Sequence, residues 1–460
     1  MKRRYSILTA MLLVLTIVLS ACGTGNTNTG STDATNTQTD ITSATVPETK
    51  PTEKVELTMY SSNQSGADYL KVMKETVIGK YQEQHPNITI NMTLNIDPTG
   101  IEKQQLAAGA GPDIVTLDGP TSLQMFANAG YVLPLDEYIS KYGWDKTFQS
   151  WALDTCKKDG KLFGLPGGVE GLIVYYNKTM FTDNGWQVPK TYAEFLDLCK
   201  KIKDKSIVPF SFGCSDFRQA NEWWVSMAYN AVLGNDEFKK FLSGEKNWDD
   251  VALKDATQKL VDMWGNGFIY EKSAMVSLDD AKNLFATKKA AMNMSGTWFI
   301  SEMLAAKPEF EWSTFAMPQW NESGKQMVPM ALSTATGVNA NSKHPAEAAE
   351  FLNWMWGKEV GTEILKLGGD IYALNDFDIS LIEGVDAHVT ETNNIIEQAS
   401  KDNNTGYCSW TYWSPNTETF VWNNLEGLYF GQMKIDDFMT KLNKEYEKDK
   451  AKGSLFKFSN

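Results

Sequence analysis

The sequence predicts an α/β protein with two lobes, and three observations support this prediction. Segments with strand-like and helix-like patterns alternate between residues 55 and 118, which is typical of a mainly parallel sheet with crossover helices. About 400 residues follow a polar N-terminal stretch, and a chain of that length normally forms more than one hydrophobic core. A Pro-Gly-Gly break at 166–168 precedes a strand-like run at 171–177, where the chain would pass between the lobes.

The first lobe is predicted from three strands and two helices. Apolar residues alternate or cluster at 55–60, 88–94 and 112–118, which indicates strands. Apolar residues at helical spacing indicate helices at 68–84 and 99–108, the first ending at His85-Pro86 because the residue before proline disfavours the α conformation. Ligands of such sheets bind beyond the carboxyl ends of the strands. The polar loop after the first strand and Asp118 are therefore candidate ligand contacts.

The pattern of helices resumes after residue 178. Thr191 followed by Glu194 has the spacing of a capping box, which predicts that a helix starts at 192. Amphipathic spacing then predicts helices at 192–203, 221–232, 256–264, 278–288, 346–356 and 435–450.

The N-terminus predicts export and a lipid anchor. Residues 1–21 combine a basic start, an apolar stretch at 7–19 and small residues before Cys22, which resembles a bacterial lipoprotein signal cut before a lipidated (palmitate-bearing) cysteine. The alternative is an ordinary secretory leader with a chance cysteine. Residues 22–54 are predicted to be a polar, disordered tether. No later apolar run has membrane-spanning length, so the lipid is expected to be the only membrane contact.

Composition excludes several classes of partner. The chain has 43 Lys and Arg against 57 Asp and Glu, and a formal charge of −14 does not suit nucleic acid or an anionic membrane surface. No C-x-x-C pair and no Cys/His cluster with zinc spacing occurs, so neither a metal site nor a cofactor is expected. The remaining cysteines are compatible with one or two disulfides or with four buried thiols: Cys156, Cys199, Cys214 and Cys408.

Four segments together resemble the family of bacterial solute-binding lipoproteins that serve sugar ABC importers. They are GPDIV at 111–115, YNK at 176–178 with PKT at 189–191, AAMNMSGTW at 290–298, and the stretch 337–352. The resemblance implies two α/β lobes joined by crossover strands and closing on a ligand, the periplasmic-binding-protein-like fold. It implies a first lobe of 55–165 with 290–340, and a second lobe of 166–289 with 341–460.

The resemblance also implies roles for individual residues. In a maltose-binding member of the family, the residue matching Glu170 contacts sugar hydroxyls and the one matching Trp298 stacks on a sugar ring. The loop of Ser62, Asn63 and Gln64 matches a loop that reaches the ligand. That member has charged residues where this chain has Asn63 and Gln64, and a tryptophan near position 117. These departures predict a ligand other than maltose.

The residue chemistry independently suits a sugar. A pyranose has a rim of hydroxyls and an apolar face, so its recognition needs carboxylate or amide groups and aromatic plates. Glu170 is a lone carboxylate between a Gly-Gly pair and a strand-like run, where an unpartnered charge would be costly. The chain has 15 Trp, several of them in polar surroundings. The further candidate ligand-binding residues are Asp118, Trp223, Asp370, Trp410 and Trp413.

These observations predict a monomeric sugar-binding subunit without catalytic activity, which delivers a mono- or oligosaccharide to the transmembrane subunits of an ABC permease. One alternative is a secreted glycoside hydrolase, with Asp118 and Glu170 as a catalytic pair about 5 to 9.5 Å apart. Another is a peptide or polyamine binder, which would require more acidic residues in the cleft.

Overall fold

The computed structural model describes residues 53–62, 67–95, 98–323 and 325–458. The predicted signal, Cys22 and nearly all of the predicted tether lie outside these residues, as do Asn63 and Gln64. Within the described ranges, no helix is both long enough and apolar enough to cross a membrane.

The strands alternate with helices through most of the chain. The strands are β1 Val55–Ser62, β2 Ile88–Asn95, β3 Ile114–Asp118, β4 Lys157–Lys158, β5 Lys161–Leu162, β6 Gly164–Pro166, β7 Gly168–Asn177, β8 Val208–Ser211, β9 Ala290–Gly296, β10 Trp312–Phe315, β11 Met317–Pro318, β12 Gln326–Leu332, β13 Thr334–Val338, β14 Ile371–Tyr372 and β15 Thr405–Tyr407.

Every helix predicted from apolar spacing is present, and most of the helix ends differ from the predicted ones by a few residues. They are α1 Ala67–Val72, α2 Lys80–Gln84, α3 Pro98–Ala107, α4 Gly119–Ala129, α5 Asp136–Tyr142, α6 Trp144–Thr147, α7 Ser150–Thr155, α8 Lys178–Asn184, α9 Tyr192–Asp204, α10 Asn221–Leu233, α11 Asn235–Leu242, α12 Val251–Gly265, α13 Leu278–Ala286, α14 Phe299–Ala306, α15 Pro345–Met355, α16 Lys358–Lys366, α17 Ala387–Lys401, α18 Ser409–Tyr412, α19 Pro415–Tyr429 and α20 Ile435–Ala451. A π-helical turn, Met73–Gly79, joins α1 to α2. The capping box at Thr191 and Glu194 is present.

The first lobe is built on a five-stranded sheet in the order β2-β1-β3-β13-β6. Strand β1 is parallel to both β2 and β3, which confirms the parallel arrangement predicted for 55–118. Strand β13 then returns antiparallel to β3 and β6. Asp118 is the last residue of β3, so it lies at the carboxyl edge where the sequence analysis placed it.

The second lobe is built around the ten-residue strand β7. The sheet runs β11-β12-β7-β9-β8, with β10 and β14 also paired to β7 and β15 paired to β12. The core of this lobe contains Trp224, Trp248, Trp320 and Phe210, all fully buried. Cys156, Cys199, Cys214 and Cys408 are buried free thiols, so these four form no disulfide.

Two adjacent crossovers join the sheets. The chain passes from β6 to β7 through Gly167, and from β12 to β13 through Ser333. The two crossovers are bonded to each other, because Gly167 N donates to Thr334 O and Ser333 N to Gly168 O, each at 2.8 Å. Glu170 follows the first crossover by three residues, which positions it between the lobes.

The predicted lobe boundaries need a correction at 290–340. Strand β9 pairs with β7 and β8 in the second sheet, and only β13 joins the first. Helices α15 and α16 lie in the stretch predicted for the second lobe, yet Phe351 and Val360 are buried in the first core. Strand partners are chosen by long-range pairing, which the local hydrophobic pattern of one segment does not encode.

Candidate ligand-binding cleft

A cavity of about 380 Å³ lies where the two lobes meet. Its lining combines side chains from α1, β3, the second crossover, β7 and the helices of the second lobe. Five of the predicted ligand-binding residues line it: Asp118, Glu170, Trp223, Trp298 and Trp410. The other lining residues were not predicted from the sequence: Tyr69, Phe217, Glu222, Leu278, Lys282, Ser301, Glu302 and Ser333.

Three tryptophans form one wall of this cavity. The ring of Trp298 lies 5.3 Å from that of Trp223 and 6.1 Å from that of Trp410, centroid to centroid, and both pairs are edge-to-face. Edge-to-face contacts are a favoured geometry for aromatic pairs. Trp298 is only half-buried, whereas its two neighbours are buried. The wall therefore presents a fixed aromatic surface with Trp298 as its most accessible ring.

Gly296 leaves room for the Trp298 ring. Strand β9 ends at Gly296, and the chain turns into α14 at Thr297 and Trp298. A Cβ atom on Gly296 would lie 1.8 Å from the Trp298 ring. The ring can therefore lie against the backbone of the strand end only because residue 296 has no side chain.

Glu170 is buried and has a neutral partner. Its side chain is 5% exposed, and Trp410 Nε1 donates a 2.6 Å hydrogen bond to its Oε1. No hydrogen bond from another described residue reaches its second oxygen, Oε2. Burial raises the pKa of Glu170 well above its ordinary value, and the negative charge of Asp370 adds to the rise. Glu170 thus supplies a carboxyl oxygen to the cavity in a largely dry environment.

Glu222 is a second buried carboxyl of the cavity, and it was not predicted from the sequence. It is 5% exposed, and its Oε2 accepts hydrogen bonds from Ser409 Oγ at 2.7 Å and Trp422 Nε1 at 2.6 Å. Burial raises the pKa of Glu222 to about 7. Its position directly before Trp223-Trp224 was the available signal. An acidic residue in the first turn of a helix is more commonly an exposed partner of the helix dipole.

Asp370 is connected to the site through a hydrogen bond with Thr297. Its Oδ1 accepts a hydrogen bond of 3.1 Å from Thr297 Oγ1, next to Trp298. Burial raises the pKa of Asp370 to about 6. Asp370 is not among the residues that line the cavity, in contrast to the direct ligand contact predicted for it.

Trp413 is not part of the cleft, and the prediction for it is wrong. It is 2% exposed and packs in the core of the second lobe, its ring centroid 5.8 Å from that of Tyr229 and 4.8 Å from that of Trp248. Helix α18 ends at Tyr412, and Trp413 continues in extended conformation, which turns its side chain inward.

Ser62, another predicted ligand-binding residue, is the last residue of β1, where it pairs with Asn95 of β2.

A close contact between the lobes holds Trp410 in place. Gly119, at the start of α4, has φ +72°, and an added Cβ would lie 2.2 Å from the carbonyl oxygen of Trp410. Thr121 Oγ1 donates to Trp413 O at 3.2 Å and lies 3.4 Å from Ser409 O. The first lobe thus contacts the backbone of the segment that carries the hydrogen-bond donor to Glu170.

A larger cavity of about 890 Å³ lies on the other face of β7. Val169 lines it, and neighbouring strand residues point to opposite faces, so it is separated from Glu170 by the sheet. The predicted ligand-binding residues with described side chains are not among those that line it. The smaller cavity, with its buried carboxyls and tryptophans, is therefore the candidate binding site.

Comparison with known proteins identifies the family. Residues 60–362 match the family described as bacterial extracellular solute-binding protein, which is more than half of the chain. The chain belongs to this family. A multiple sugar-binding protein of Streptococcus mutans is 25% identical to this solute-binding protein over 286 residues, 61% of this chain and 66% of the relative. A diacetylchitobiose binding protein of Streptomyces coelicolor is 28% identical over 211 residues, 42% of each chain.

A solved structure shows the same fold. A chitin oligosaccharide binding protein aligns with a TM-score of 0.77 at 22% identity, covering 86% of this chain and 99% of that one. The predicted two-lobed α/β fold of a solute-binding protein is confirmed.

Proposed function

We propose that this solute-binding protein captures an oligosaccharide between its lobes and delivers it to the transmembrane subunits of an ABC importer. The observation that carries the proposal is the cleft itself, in which a wall of three tryptophans faces the buried carboxyls Glu170 and Glu222. An aromatic plate suits the apolar face of a pyranose, and carboxyl oxygens suit its hydroxyls. The names of the relatives, which bind sugars, support the same conclusion.

Capture would involve closure of the lobes about the paired crossovers at Gly167 and Ser333. Asp118 and Tyr69 reach the cavity from the first lobe, whereas Trp298 and Glu222 reach it from the second. A ligand that contacts both sides stabilises the closed arrangement by its differential affinity for it. The protein would act as a monomer that meets the permease transiently.

Binding without turnover is the first expected result. A bound oligosaccharide at about 100 Kd should stabilise the protein by about 2.7 kcal/mol, which thermal unfolding across a panel of mono- and oligosaccharides would detect. Chromatography of the same mixtures after long incubation should show no new reducing ends. New reducing ends would instead support the glycoside hydrolase, and a panel with no stabilising sugar would contradict the proposed function.

We propose further that Cys22 anchors the protein outside the cytoplasm through a lipid. The basic start, apolar stretch and small residues before Cys22 support this assignment. In a Cys22→Ala variant, the protein should be released into the medium or retained with its leader uncut, as followed by fractionation and immunoblotting beside the wild type. Mature Cys22→Ala protein that still partitions with membranes would contradict the anchor.

A further inference from the structure

The charge of the cleft is unbalanced. Four carboxyl groups line the cavity, on Asp118, Glu170, Glu222 and Glu302, together with the amino group of Lys282. Lys282 Nζ lies 2.5 Å from Glu302 Oε2 and 3.6 Å from Asp279 Oδ1, so it already forms ion pairs with two carboxylates. Among the described residues, Lys282 is therefore already paired, and it does not balance the buried carboxyls Glu170 and Glu222.

The two most buried carboxyls have only neutral partners. Trp410 Nε1 donates to Glu170, and Ser409 Oγ and Trp422 Nε1 donate to Glu222. Within the described part of the chain, neither Glu170 nor Glu222 forms an ion pair with Lys or Arg. Glu170 has one oxygen to which no described residue is seen to donate, although its side chain is more than nine-tenths buried. Glu222 is equally buried, and the carboxyl group of Glu418 is its third hydrogen-bond partner.

Two further acidic groups lie close to Glu170 and Glu222. Glu418 lies beside Glu222 and is 1% exposed, and Asp370 raises the pKa of Glu170 by its negative charge. Burial and the charge of Glu222 raise the pKa of Glu418 well above its ordinary value. A group of buried carboxyls of this kind is poorly stabilised in the ionised form unless a cation enters among them.

A metal ion does not fit the arrangement. Among the described residues, no group of three or more His, Cys, Asp or Glu side chains converges closely enough to hold one. The tryptophans beside the carboxyls favour an organic cation, because an ammonium group is attracted to the face of an indole ring. A linear polyamine would use the carboxyls but would leave the broad aromatic wall without a matching flat surface.

We infer that the ligand is an amino sugar with a free, protonated amino group, held by Glu222 and Glu170 while its ring lies on the tryptophan wall. This inference rests on the proposed sugar-binding function and names the class of sugar. A neutral sugar would offer these two buried carboxyls hydroxyl partners only. A 2-amino sugar carries its cation on the ring itself. One sugar unit can therefore pair with the carboxyl groups and stack on the tryptophans. The cavity of about 380 Å³ is near the small end of ligand sites, which suits a short oligosaccharide.

Three disaccharides with one backbone test the inference. They are β-1,4-linked dimers that carry an amino, an acetamido or a hydroxyl group at carbon 2: the glucosamine dimer, its diacetylated form and cellobiose. Isothermal titration of the mature protein should give the amino form an affinity at least about tenfold above the other two, as expected for hydrogen bonds to a charged group. An acetamido or hydroxyl form that binds as tightly overturns the inference and leaves the proposed sugar-binding function standing.

A matched pair of variants separates the site from the general charge of the protein. Glu222→Gln keeps the shape of the side chain and should remove most of the preference for the amine, a loss of about tenfold to a hundredfold. Asp436→Asn removes one negative charge from an exposed position on α20 and should keep the preference. Equal losses in both variants would reduce the preference to long-range attraction and overturn the inference.

Two further results would contradict the inference. If Glu222→Gln melts far below the wild type, Glu170→Gln is titrated in its place. A Glu170→Gln protein that keeps the preference for the glucosamine dimer would contradict the inferred site. Spermidine that binds more tightly than the glucosamine dimer would assign the cleft to a polyamine.

Discussion

A Trp298→Ala variant is expected to bind its sugar about a hundredfold more weakly than the wild type, with an unliganded melting temperature within a few degrees of it. Loss of a stacking indole removes both its buried area and its aromatic contact, together about 3 kcal/mol. Trp298 is half-buried in the free protein, so its removal leaves no closed cavity in the core. Isothermal titration measures the affinity, and thermal unfolding measures the stability.

Trp413→Ala provides the opposite result and therefore the control. Trp413 is packed against Tyr229 and Trp248 in the core, and truncating a buried tryptophan typically costs about 3 to 5 kcal/mol of stability. The folded fraction of Trp413→Ala should still bind sugar.

Gly296→Ala should reproduce the binding defect of Trp298→Ala, because the new Cβ displaces the Trp298 ring. A Trp298→Ala protein that melts far lower yet binds with unchanged affinity would assign this residue to the core.

A Glu102→Gln variant is expected to be more stable than the wild type by about 3 kcal/mol at pH 7. Glu102, in α3, is 0% exposed, and within the described residues no side chain donates a hydrogen bond to its carboxyl group, so only the nearby Thr116 backbone favours the ionised form. Burial raises the pKa of Glu102 from 4.5 to about 9, and the charge of Asp118 adds to the rise. The native state therefore keeps a proton that the unfolded chain has lost at neutral pH.

The sign of this effect follows from proton binding. Below pH 4.5 both states hold the proton, and Glu102 has no titration penalty. As the pH rises from 4.5 to about 9, the unfolded state is increasingly favoured, and stability falls. Glutamine does not titrate, so the variant should lose this slope in denaturant unfolding measured across the window.

Glu83→Gln is the matched control for Glu102→Gln. Glu83 is exposed on α2, and a substitution there should change stability by no more than about 0.5 kcal/mol. If the stability of the wild type did not fall relative to that of Glu102→Gln between pH 4.5 and about 9, Glu102 would be ionised in the native state.

The local elements, the fold class and the general place of the site could be predicted from the amino-acid sequence alone. Strands at 55–118, the capping box at Thr191 and the length of the chain follow from periodicities and propensities that act over a few residues. Glu170 stood out because a carboxylate beside a glycine pair and a strand-like run is costly without a role. Trp298 stood out through the glycine that precedes it and through the resemblance of its segment to a family strand.

Which residues share the cleft depends on contacts between segments that are distant in the chain. Trp410 and Trp413 lie three residues apart in one aromatic stretch, yet one donates to Glu170 and the other fills the core. Glu222 accepts hydrogen bonds from Ser409 and Trp422, which are 187 and 200 positions away in the chain. Strand β9 joined the second sheet rather than the first by pairing with β7. The physical reason is common to all three, because burial and strand pairing depend on segments distant in the chain, and no local pattern of apolar or charged residues specifies them.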